Sequence, residues 1–159
     1  MMHTLGKLGL LALIGASVAA CSPSSRPGQP ILRAEPGSQQ IAIKASPEQV
    51  RQTLVSSAAS RGSFVIQDDP NMVIIENAMR KANPVLDQEF GESSVGERVI
   101  RVRVRFSGDR CNTRVVQDLA LINNSRTPAE QSFQLPGDAN TMQSLQGLKS
   151  NAESTSGCA

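Results

Sequence analysis

Val99-Ile100-Arg101-Val102-Arg103-Val104-Arg105-Phe106 alternates apolar and charged side chains almost without interruption. On a strand successive side chains point to opposite faces. This spacing therefore sets Ile100, Val102, Val104 and Phe106 on one side and Arg101, Arg103 and Arg105 on the other. Such a strand belongs to an antiparallel sheet with one packed and one wet face. Ser107 to Asn112 then reads as a turn, and Arg114 to Ile122 as a second run rich in branched apolar residues. Together they make a hairpin with Cys111 at its tip.

Working toward the N-terminus, Phe64 to Gln67 and Met72 to Glu76 flank the turn cluster Asp68-Asp69-Pro70-Asn71, the signature of another hairpin. Ahead of it, Ser46-Pro47-Glu48-Gln49 supplies an N-cap serine, a proline at the first helical position and a glutamine able to close a capping box. Val50, Leu54 and Ala58 with Val55 and Ala59 then form an apolar stripe, and Gly62 stops the helix. Ile41-Ala42-Ile43 suits a first strand. Between the hairpins, residues 78–96 form a polar connection holding a short helical turn around Pro84 to Phe90, and a loop of that length invites a functional role.

Toward the C-terminus, Asn123 to Gly137 reads as a polar connection, after which Asp138 caps a last helix carrying Met142, Leu145 and Leu148. The order is β-α-β-β-β-β-α. It predicts a two-layer α+β domain: an antiparallel sheet of about five strands, a long helix after the first strand and a C-terminal helix, both packed on one face. This element order, over roughly residues 41–152, resembles the helix-grip and TATA-binding-protein-like group, which includes domains of envelope-assembly lipoproteins. The resemblance implies a fold and leaves function to be argued from sites.

Val18-Ala19-Ala20-Cys21 follows the apolar run Leu8 to Ile14 and the cation Lys7, and resembles the lipobox of bacterial lipoproteins. That apolar core is too short to span a bilayer. The resemblance implies that residues 1–20 are a signal peptide and that Cys21 becomes the lipid-bearing first residue. Two or more acyl chains anchor a protein stably, at about 0.8 kcal/mol per buried CH₂. Ser22 follows, not the aspartate that retains many lipoproteins in the inner membrane, so the resemblance points to the outer membrane, facing the periplasm. Residues 21–40, rich in proline, serine and glycine, read as a tether, leaving 41–159 as a single folded domain.

Processing at that site removes His3, the single histidine, and with it Ser-His-Asp and Cys-His catalysis and metal sites built on imidazole. It also leaves 15 basic against 14 acidic side chains, so global charge offers no argument for nucleic acid, and none is expected as a partner. Without Trp or Tyr, four phenylalanines are too few for a platform that stacks sugars or bases. In the oxidising compartment that a lipobox implies, Cys111 and Cys158 read as a disulfide. The alternative is a free or metal-bound thiol pair, for which no neighbouring histidine, lysine or CxxC spacing speaks.

No nucleophile elbow, SxxK, HExxH or phosphate loop occurs, and Lys44 and Lys81 couple to no serine motif. Asp68-Asp69 is turn chemistry, and Asp87, Glu89 and Glu92 lack the alternation and central glycine of a calcium loop. The expectation is therefore no catalytic residue, metal or cofactor. What stands out is the stripe Arg101, Arg103, Arg105, with Arg98, Arg110 and Arg114 nearby. It suits contact with phosphates, wall carboxylates or an acidic protein. Its plainer reading is a solvated sheet face paired across strands with acids such as Asp118 or Glu76. The function expected is contact with an envelope protein or the cell wall from a membrane anchor at Cys21, the oligomeric state being open. The runner-up is a binder of a small apolar or lipid ligand in the groove between the long helix and the sheet, and a filled core would favour the first.

Overall fold

The alternating stretch lies in the central hairpin of the molecule. In the computed structural model, which describes residues 32–158, strands β4 (Glu97–Asp109) and β5 (Asn112–Ser125) pair antiparallel from Glu97 opposite Ser125 to Asp109 opposite Asn112. The chain enters through β1 (Gln39–Ile43), α1 (Pro47–Ser60), β2 (Phe64–Asp69), β3 (Met72–Ala78) and α2 (Pro84–Phe90). It leaves the hairpin through β6 (Gln131–Leu135) and α3 (Ala139–Ser154). The strands lie in the order β2-β3-β4-β5, and β1 and β6 both pair with β5. They divide that strand between them: β1 takes Thr113 to Gln117 and β6 takes Leu119 to Asn123.

Local chemistry explains each helix boundary. The Ser46 side chain accepts from the Gln49 amide at the start of α1, Asn83 does the same for Leu86 at α2, and Asp138 forms a capping box with Thr141 at α3. Gly108 is required by a close approach, since a Cβ there would stand 2.0 Å from the Asn112 carbonyl oxygen.

The α+β two-layer class is as expected, and α1 and α3 pack together on one face of the sheet. The core is Ile43, Val50, Val73, Val104, Phe106, Val115, Leu145 and Leu148 with their neighbours. Three expectations are corrected. The sheet has six strands, because Asn123 to Gly137 contains the end of β5 and all of β6. Asp68 and Asp69 belong to β2, paired with Val73 and Met72, so the turn is tighter than its composition implies. The folded domain also begins before residue 41. Gln39 and Gln40 lie in β1, and Leu32 to Ser38 are bonded to the sheet. The signal peptide, Cys21 and the tether up to Ile31 lie outside the described residues.

Cys111 at the hairpin tip and Cys158 beyond α3 are joined as a disulfide, with Cα atoms 5.6 Å apart. The bond fastens the end of the chain to the β4–β5 turn.

Candidate functional site

The face of the sheet away from α1 and α3 carries the arginine stripe. Register places Met72, Ile74 and Glu76 of β3 opposite Arg105, Arg103 and Arg101, and the same arginines opposite Val116, Asp118 and Ala120 of β5. Two acids are thus built into an arginine row.

Glu76 is 1% exposed although it points from the open face. Arg101 Nη2 donates to its Oε1 at 2.6 Å, and the same guanidinium reaches Glu130 Oε1 at 2.8 Å. The β5–β6 turn closes over this pair: Arg126 has a positive φ of 62°, and its amide donates to Glu130. Hydrogen bonds from Arg101 and then the Arg126 amide hold the Glu130 carboxyl below its ordinary value, against a smaller opposing push from burial. Arg101 is therefore spent within the fold.

Asp118 is different. Its carboxylate is 4% exposed and lies 2.9 Å from Arg103 and 3.0 Å from Arg105, and it accepts from the Ser38 hydroxyl. Burial pushes this carboxyl upward, but hydrogen bonds from Ser38 and Arg103 and the charge of Arg105 outweigh it and leave the group below the usual aspartate range. Two guanidinium groups share this acid. The Arg105 Nε is buried without a hydrogen-bond partner, and its Nη2 donates to the Arg33 carbonyl. Arg114, on the same face of β5, donates to the Leu32 carbonyl and the Gln40 side chain and meets no carboxylate among the described residues. Leu32 to Ser38 thereby crosses this end of the face. Beside it, Ile74, Arg101, Arg103, Asp118, Ala120, Ser132 and Gln134 line a shallow cavity of about 280 Å³.

The acids Glu76 and Asp118, read from sequence as partners of the stripe, do pair with it; Glu130 was missed because nothing in its local sequence shows that a turn folds it back. Arg98 proves separate from the stripe. It is buried, donates to Asn123, Asp87 and the Gly91 carbonyl, and fastens α2 to the sheet, where Phe90 also packs on Phe133.

On the other face a groove of about 300 Å³ lies between α1 and α3. Its floor is Ile75, Val102 and Leu119 of the sheet, its apolar walls are Leu54 and Ala58 of α1 and Leu148 of α3, and Gln117, Thr141 and Arg61 are among the polar lining. This is the helix–sheet groove foreseen for an apolar ligand, at the lower end of the size range of ligand sites. No group of three or more His, Cys, Asp or Glu placed to hold a metal occurs among the described residues, and no described helix is long and apolar enough to cross a membrane.

No protein-family model matches the chain, and no curated protein matches it. Among solved structures the chain is similar to a TBP-like protein from Parabacteroides distasonis. That match has a TM-score of 0.33 and 10% sequence identity, and covers 80% of this chain and 98% of the other.

Proposed function

We propose that this is a non-catalytic envelope lipoprotein, anchored through lipid on Cys21, that works by contact. Its open sheet face meets an anionic surface of an envelope protein or the cell wall. The observation that carries the reading is the charge imbalance around Asp118: Arg103 and Arg105 share its carboxylate while Arg114 meets no acid among the described residues. Guanidinium groups with donors to spare recognise carboxylates and phosphates in fixed geometry. The resemblance to a lipobox supports the anchor, and Ser22 in place of the inner-membrane retention aspartate supports the outer membrane, facing the periplasm, as its location.

The test replaces Arg103 and Arg114 by glutamine and measures retention on purified wall sacculi and crosslinking to envelope proteins, with mass spectrometry of the native first residue. Loss of retention with intact folding supports the reading. Unchanged retention on every surface, or an unmodified Cys21, overturns it.

A second reading, a carrier of a small apolar or lipid ligand, is favoured by the groove between α1 and α3. Its measure is calorimetric binding of a medium-chain amphiphile.

A further inference from the structure

The groove between α1 and α3 has a particular chemistry. Among the described residues no acid lines it, and Arg61, at the end of α1, is the one charged group there. The Arg61 guanidinium forms no ion pair or hydrogen bond among the described residues. Deeper in the floor stands Gln117, 6% exposed, on the helix-facing side of β5 opposite Val104. Its side-chain amide makes no hydrogen bond among the described residues, although its neighbours Thr141 and Gln39 are bonded to one another. The amide lines the groove, so its donors and acceptor are free to pair with a group that enters that volume.

We propose that this groove binds a small amphiphilic carboxylate. Its apolar body lies on Ile75, Val102 and Leu119, its carboxylate meets Arg61 at the mouth, and an amide or hydroxyl on the body pairs with Gln117. This deepens the ligand-carrier reading and rests on it. The volume suits a medium-length chain better than a full membrane acyl chain, and the absence of lining acids selects against cations.

The test titrates the processed chain carrying Cys21→Ser with three probes: N-octanoylglycine, its methyl ester and octyltrimethylammonium. The acid binds at one site, at least tenfold tighter than the ester, and the cation does not bind. Arg61→Gln removes the difference between acid and ester. Gln117→Leu weakens both, and Ser144→Phe, which intrudes from the rim of α3, abolishes both while circular dichroism stays native. If acid and ester bind equally, the carboxylate inference is overturned and the groove reading survives. If neither binds, both fall. If Arg61→Gln leaves the difference intact, the head group lies elsewhere and the assignment is wrong.

Discussion

Arg103 on β4 and Asp118 on β5 are register partners, and the guanidinium approaches the carboxylate to 2.9 Å on the face that carries no helix. With Arg105 at 3.0 Å and the Ser38 hydroxyl donating as well, a carboxylate buried at the sheet surface is fully solvated by protein. Asp118→Asn leaves two guanidinium groups facing a neutral amide. The expected loss is about 2 kcal/mol, below that for a fully buried pair because Arg103 is 42% exposed. Chemical denaturation measures it. An unchanged midpoint would mean that the cluster contributes nothing to stability.

The same carboxyl sets an acid limit. Asp118 and Glu130 are held below their ordinary values in the folded state, so the folded chain binds fewer protons than the unfolded chain in that range. Their contribution is complete above the unfolded values, near pH 4, and is lost as pH falls through the folded ones. The melting temperature is expected to hold from pH 7 to about 5 and to decline below about 4. The decline should be shallower in Asp118→Asn. A midpoint that rises toward acid contradicts this.

Much of this architecture was legible in the chain, and the failures have physical causes. Alternation along β4, the Ser46-Pro47 cap and the Asp138 cap are local signals, and each marks an element that the structure contains. β6 was hidden because it alternates Phe133 and Leu135 over five residues only, and what makes it a strand is the unpaired edge of β5 beside it. Asn123 and Asn124 look like loop residues. They are buried in β5 because Arg98 on β4, with the Phe90 carbonyl and the Val95 amide from the connection before it, satisfies their side chains. The arginine stripe could be found from spacing, whereas the unpaired Gln117 amide could not, since only the packing of α3 decides whether it has a partner.

Joining the hairpin tip to the chain end limits the unfolded ensemble. For a separation of 47 residues the chain-entropy model gives about 4 kcal/mol, the upper bound when residual unfolded structure is ignored. Cys111→Ser and reduction of the native chain are expected to lower the melting temperature to the same extent. A midpoint insensitive to reductant shows that the bond is absent from the purified protein.

Phe106, toward the end of the packed face of β4, is among the largest fully buried side chains of the core. Phe106→Ala removes a ring from the core cluster that the sheet shares with α1 and α3, and a cost of about 3–5 kcal/mol is expected. Near-neutral behaviour in denaturant would show that this end of the core collapses into the space.

Gly108 tests the hairpin that fixes everything else. It pairs with Thr113 at the last turn of the β4–β5 ladder, and a methyl group on its Cα would sit 2.0 Å from the Asn112 carbonyl oxygen and 2.7 Å from the Thr113 Cα. Both obstacles are backbone, so no rotamer change relieves them. Gly108→Ala therefore forces the strands apart at the tip, where Cys111 must reach Cys158, at a cost of about 2–3 kcal/mol. The displacement also slows closure of the disulfide during oxidative refolding, which alkylation of free thiols followed by mass spectrometry measures. Wild-type stability together with wild-type closure would mean that β4 and β5 do not approach this closely at their tip.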